Sequence, residues 1–143
     1  MDLDLSGKTA LITGSPRGIG FETAVGLAEM GASVIVHGRS DATVNDALGR
    51  LAERVADAGA VGIAANLGTA EGCDALAAAH AQVDVLVNNV GIYRPEPFDE
   101  VGDETWQMYF DINIMSGVRM ARHYLKGMLE RDWGRIIFVS SES

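Results

Sequence analysis

Thr9-Ala10-Leu11-Ile12-Thr13-Gly14-Ser15-Pro16-Arg17-Gly18-Ile19-Gly20 decides the fold: it reads as an apolar strand, a glycine turn and the opening of a helix. Glycine tolerates positive φ and lets main chain come close to another group. Gly14 suits the tight turn off the strand, Gly18 the approach of backbone to a pyrophosphate, and Gly20 close packing of the new helix on the sheet. Free N–H groups from Gly18 to Phe21, with the positive end of the helix dipole, attract phosphate without needing a lysine. The alternative is a plain strand-to-helix turn that holds nothing. The flanking strand and helix favour a binding loop.

Outward from this stretch, apolar strand-like runs alternate with helical patterns along the chain, with no repeat, low-complexity segment or linker between them. The spacing predicts strands over 8–13, 33–37, 61–64, 84–88 and 135–140, and helices over 18–30, 41–58, 69–81 and 103–130. Such alternation is the signature of a parallel sheet. Right-handed crossovers and helices on both faces then predict an α/β, Rossmann-type doubly wound parallel sheet of order 3-2-1-4-5, with a ligand at the switch between strands 1 and 4. The polar motifs fall at the carboxyl ends of these strands. The glycine loop follows strand 1, Arg39 strand 2, Asn66 and Leu67 strand 3, Asn88-Asn89-Val90-Gly91 strand 4, and Ser141 strand 5.

The 143 residues, 48% hydrophobic and 22% charged, suit one globular domain with a core, here a single dinucleotide-binding domain over 1–143. A formal charge of −9 argues against nucleic acid as a partner, because a general phosphate-binding surface takes clustered Lys and Arg. Any anionic ligand must be met by local groups. The single cysteine, Cys73, excludes an internal disulfide and agrees with a reducing compartment. No run approaches the length of a membrane span, and Asp2 and Asp4 are unlike the positive start of a signal peptide. A cytoplasmic location without a membrane partner is therefore expected. His37, His80 and His123 show no metal-ligand spacing with each other or with Cys73, so no metal is expected.

The glycine spacing has three residues between the first two glycines, unlike the common GxGxxG, and this TGxxxGxG form resembles the short-chain dehydrogenase/reductase family. Asn88-Asn89-Val90-Gly91 after Val85-Leu86-Val87, Asn113 within a long helical pattern, and Arg135-Ile136-Ile137-Phe138-Val139-Ser140-Ser141 are similar to further motifs of that family, in its order and at its spacing. The resemblance covers essentially the whole chain and stops before the family's pattern is complete. It implies hydride transfer between a nicotinamide cofactor and a small-molecule carbonyl or alcohol substrate. Asn113 would correspond to the asparagine whose helix irregularity and main chain hold a water in the proton relay, and Ser141 to the serine that bonds the substrate oxygen, with Ser140 as its neighbour. The expected cofactor-binding residues are Gly14, Ser15, Arg17, Gly18, Ile19, Gly20, Arg39, Asn66, Leu67, Asn89, Val90 and Gly91. Alone, Asn113 reads as a polar residue tolerated in a helix and Ser141 as a strand cap.

NADP is expected rather than NAD, because Gly38 and Arg39 stand where an acid would accept from the ribose 2′-hydroxyl, and Arg17 can reach the same 2′-phosphate. Two solvated surface arginines are the competing description. Asn66 replaces the family's usual aspartate near adenine, keeping an acceptor and losing the charge. Val90 departs from the small residue usual in its turn. Tyr93, Arg94 and Glu96 either line an entrance or are solvated loop residues.

Proton donation by tyrosine needs a nearby cation to lower a pKa of about 10, which the family supplies through YxxxK. Here Tyr93, Tyr109 and Tyr124 are followed four places later by Pro97, Asn113 and Met128, and the lysines are Lys8 and Lys126. The chain is therefore expected to be C-terminally incomplete and inactive alone. A non-catalytic nucleotide-binding module ending at Ser143 is the other reading. A methyltransferase on a similar sheet is disfavoured by the glycine spacing and by the absence of an acid ending strand 2. Along Asp103 to Glu130, Trp106, Phe110, Ile114, Val118, Leu125 and Leu129 follow helical spacing and are expected to pack on the sheet. A second stripe, Met108, Ile112 and Met115, then predicts a partner helix, and the family commonly pairs this helix between subunits. A homodimer or homotetramer is expected; the alternative is a helix buried within its own domain.

Overall fold

The computed structural model describes residues 3–141. Its strands are β1 (Thr9–Ile12), β2 (Ser33–Gly38), β3 (Val61–Ala64), β4 (Val85–Asn88) and β5 (Arg135–Phe138). The helices are α1 (Gly18–Glu29), α2 (Asp41–Arg54), α3 (Ala70–Ala79), α4 (Asp103–Phe110) and α5 (Ser116–Glu130). The strands form one parallel sheet of order β3-β2-β1-β4-β5, as the alternating pattern predicts, with Leu11 opposite Ile35 on one side and Leu86 on the other.

Side chains alternate across a strand, and that period sorts the core into two layers. Ala10, Ile12, Val34, Val36, Val85 and Val87 face α1 and α2, while Leu11, Ile35 and Leu86 face α3 and α5. β1, β2 and β4 are apolar on both faces for this reason. Two helices open on side-chain caps: Ser40 accepts from Thr43 N–H at the start of α2, and Thr69 Oγ1 from Gly72 N–H at 3.1 Å at the start of α3. Helix α2 stops at Arg54, short of the predicted residue 58. Val55 is already extended, and Asp57 and Gly59 take positive φ of 59° and 58°.

The long helix predicted over 103–130 is present with a π turn at Asp111–Met115 between α4 and α5. Its inward face is the opposite of the expected one. Trp106, Phe110, Ile114, Val118, Leu125 and Leu129 are exposed, Leu129 by 70%, whereas Ser116, Gly117, Met120, Tyr124 and Met128 are buried. Apolar spacing marks a stripe without giving its direction, and the wide turn shifts the helical phase midway. Small residues also decide the contact: a Cβ on Gly117 would stand 2.7 Å from Cε1 of Phe138. Tyr124 completes the inner face by donating its hydroxyl to His80 O at 2.7 Å.

Candidate functional site

The glycine loop lies at the carboxyl end of β1, between the ends of β2 and β4. Gly14 has φ 63°, and a Cβ there would stand 3.2 Å from Cα and Cγ2 of Val90. The bulk of Val90 is thus accommodated by the absence of a side chain at Gly14. Gly18 has φ 59° and open space wherever a Cβ would point. Gly20 is helical, and a Cβ on it would lie 2.5 Å from both Gly14 O and Asn89 Nδ2. One glycine opens a space above the helix start, and the other lets that start sit tight against the loop.

Helix α1 begins without a side-chain cap on Arg17 and without an acid in its first turn. α2 has Ser40 and Asp41, and α3 has Thr69 and Glu71. The leading amides of α1 keep the partial positive charge that caps and acids offset elsewhere. An anion placed over Gly18 would meet those amides.

The loop is held by two buried hubs. Thr13 Oγ1 donates to Val87 O at 3.3 Å and accepts from Asn89 N–H at 3.0 Å and Val90 N–H at 3.2 Å. Asn89 Nδ2 donates back to Thr13 O at 3.2 Å and Gly14 O at 2.9 Å. On the other side His37 accepts from Gly14 N–H, and Ser15 exchanges bonds with the His37 main chain at 2.9 and 3.0 Å. Burial pushes the His37 imidazole below its usual pKa. Sequence reasoning missed Thr13 and His37 as site-forming residues; the available signal was a polar side chain within or next to an apolar strand.

Arg17 and Arg39 are both exposed, and their loops touch, since Pro16 Cγ lies 2.8 Å from where a Cβ on Gly38 would be. Arg50 donates to Pro16 O and stacks over Phe21 at 4.3 Å, bracing the same junction. Neither Arg17 nor Arg39 is ion-paired among the described residues. Asn66 Oδ1 accepts from Gly68 N–H at 3.1 Å in a turn after β3. The side chains of Ser15 and Leu67 point inward and are buried, so only their main chain can face a ligand. Ile19 is 67% exposed at the mouth of the loop.

Asn113 lies in the π turn and clamps the segment after Gly91. Its Oδ1 accepts from Ile92 N–H at 2.7 Å and its Nδ2 donates to Ile92 O at 2.9 Å. Ser141 follows β5, whose pairing ends with Val139 N–H on Asn88 O at 2.9 Å, so both residues are on the carboxyl side of the sheet. Two of the three tyrosines and both lysines are occupied elsewhere. Tyr124 is buried and its phenol is pushed well above the usual value by desolvation; Tyr109 donates to Arg94 O. Lys8 precedes β1 and stacks on Trp133 at 4.1 Å, and Lys126 lies 3.9 Å from Glu130 on α5. Tyr93, Arg94 and Glu96 are exposed in the loop after β4. His80 ends α3, and the His123 ring meets Tyr124 edge-on.

Residues 8–143 match the sequence pattern of the family described as short chain dehydrogenase. The chain is 48% identical over 143 residues to the uncharacterized oxidoreductase YvaG of Bacillus subtilis (strain 168), covering 100% of this chain and 54% of that protein. It is similar to L-sorbose reductase from Gluconobacter frateurii, solved in complex with NADPH and L-sorbose: TM-score 0.85, 36% identity, 96% of this chain and 54% of that one. The 3-oxoacyl (acyl-carrier-protein) reductase from Agrobacterium tumefaciens C58 with NADP bound gives TM-score 0.89 and 33% identity over 98% of this chain and 55% of that one. The chain thus spans little more than half the length of these proteins. With the glycine loop, the sheet order and the matched pattern in agreement, the chain belongs to the short-chain dehydrogenase family.

Proposed function

We propose that the chain is the dinucleotide-binding domain of an NADP-dependent oxidoreductase that moves a hydride between nicotinamide and a carbonyl or alcohol substrate. The carrying observation is the uncapped start of α1 beneath the open space at Gly18, beside two exposed arginines on touching loops. A dinucleotide fits these residues: the pyrophosphate takes the amides of Gly18, Ile19 and Gly20, and the 2′-phosphate takes Arg17 and Arg39. Asn66 and the Leu67 main chain hold the adenine end; Gly14, the Ser15 main chain, Asn89, Val90 and Gly91 form the wall toward the reaction end. Similar proteins with NADPH or NADP bound support the choice over NAD. When bound, the cofactor supplies or accepts the hydride.

Asn113 and Ser141 belong to the reaction side in this reading. The Asn113 side chain holds the turn after Gly91, which leaves its main chain for a water, and the Ser141 hydroxyl orients the substrate oxygen. These 143 residues contain no tyrosine with a lysine four places on, and both lysines are engaged away from the loop. Alone, the chain binds cofactor and carries out no turnover. The outward apolar stripe of α4 and α5 supports pairing with a second copy as a homodimer or homotetramer. A cytoplasmic setting accords with Cys73, a buried free thiol. No helix among the described residues is long and apolar enough to cross a membrane.

The test is titration of NADPH and NADH into the folded chain, followed by nicotinamide fluorescence. NADPH should bind more tightly than NADH. No binding of NADPH at millimolar concentration would overturn the assignment, as would cofactor-linked turnover of a carbonyl panel by the isolated chain for its inactivity.

A further inference from the structure

His37 is 2% exposed in β2, a strand whose neighbouring residues are apolar. A buried imidazole is tolerated when its ring nitrogens find partners. Here Nδ1 faces Gly14 N–H at 3.0 Å and Nε2 faces Ala65 O at 3.0 Å. An amide N–H only donates and a carbonyl only accepts, so the proton sits on Nε2 and Nδ1 is the bare acceptor. The main chain of the same residue bonds Ser15 in both directions. One residue therefore ties the ends of β1, β2 and β3, directly before Arg17 and directly beside Asn66.

We propose that His37, as a neutral imidazole protonated on Nε2, is the positioning residue of the glycine loop: it holds Gly14 in its left-handed conformation and sets the loop against the Ala65–Asn66 turn. The cofactor part of this inference rests on the reading that the loop takes NADPH. A proton on Nδ1 would set two donors against each other and leave a buried cation. Gly14, Ser15 and Ala65 bond to the residue and Ile63 pairs beside it on β3, and none of these titrates. Of the ionisable groups on the elements around it, Arg17, Arg39, the acids of α1 and α2, Arg54, Glu71 and Asp74 are exposed, Arg50 pairs with Asp46, half-buried Asp111 lies 3.8 Å from Arg119, and Cys73 is buried with its thiol pushed up. None supplies a counter-ion to a charged ring. Desolvation lowers the proton affinity of His37, partly offset by the bond to Ala65. The neutral ring therefore supports the loop fully above the ordinary histidine value of about 6.5, and that support drains as pH falls below it.

The test uses the full chain with His37→Phe, which removes the acceptor, and His37→Asn, whose Oδ1 can stand in for Nδ1. Gly14 amide exchange, read without ligand, should be slow in wild type and H37N and fast in H37F, with folding checked by circular dichroism. NADPH affinity should fall about tenfold in H37F and recover in H37N. As pH falls below the ordinary histidine value of about 6.5, wild-type affinity should weaken more than that of H37N, the shared part of the loss coming from protonation of the 2′-phosphate. Equal Gly14 exchange in wild type and H37F overturns the positioning role whatever the NADPH titration shows, and so does a ring proton found on Nδ1 by nitrogen chemical shifts. A wild type that protects Gly14 through His37 yet binds no NADPH supports the positioning role and overturns the cofactor assignment instead.

Discussion

On one flank of β1, strand β2 is buried from Val34 to Gly38, and the turns after β1 and β2 are bound to each other through His37 and Ser15. On the other flank, beyond β4, Ile137, Phe138 and Val139 are exposed together with the outward residues of α4 and α5. The first flank completes itself from its own side chains. The second leaves apolar side chains uncovered. The bonded loops and the open apolar face are thus separate features of this chain, one built at the carboxyl edge of the sheet and the other on α4, α5 and β5.

The sharpest way to break that contrast is to empty one site on each flank. Leu51→Ala in α2, at 0% exposure, should cost about 3 kcal/mol in urea unfolding. Leu129→Ala on the outer flank should stay within about 0.5 kcal/mol in the same experiment, and equal losses would erase the distinction. Gly20→Val adds atoms against Gly14 O and Asn89 and should cost about 2 kcal/mol, with NADPH binding lost in a fluorescence titration. A variant that binds normally would show that the loop does not need its close seat on α1. Arg39→Asp should weaken NADPH roughly 30-fold while sparing NADH; an equal loss of both cofactors would remove the arginine from phosphate recognition. Of the changes expected to destabilise, Ser40→Ala is the smallest, about 1 kcal/mol in thermal unfolding with cofactor affinity retained.

The sheet order was legible because Thr9–Ile12, Ser33–Gly38 and Val85–Asn88 each hold a run of apolar residues and are separated by helical patterns, and parallel connections leave few topologies. The glycine loop was legible because its spacing is local. Thr13 and His37 were not, since their partners lie 22 to 77 residues away and no short window contains both ends of such a bond. The inward face of α5 was hidden for a different reason. Its buried residues are Ser116, Gly117, Met120, Tyr124 and Met128, and only packing tells that this mixture of small, polar and methionine positions faces the sheet while Leu125 and Leu129 do not.

The rivets from Asn89 to Thr13 and Gly14 span 76 and 75 residues of chain. During synthesis the glycine motif emerges early, yet its shape waits until β4 has been made and docked beside β1. Contacts of such separation close late in folding because the intervening loop entropy must be overcome first. A nascent chain stopped before Asn89 would carry the signature of the site without its geometry.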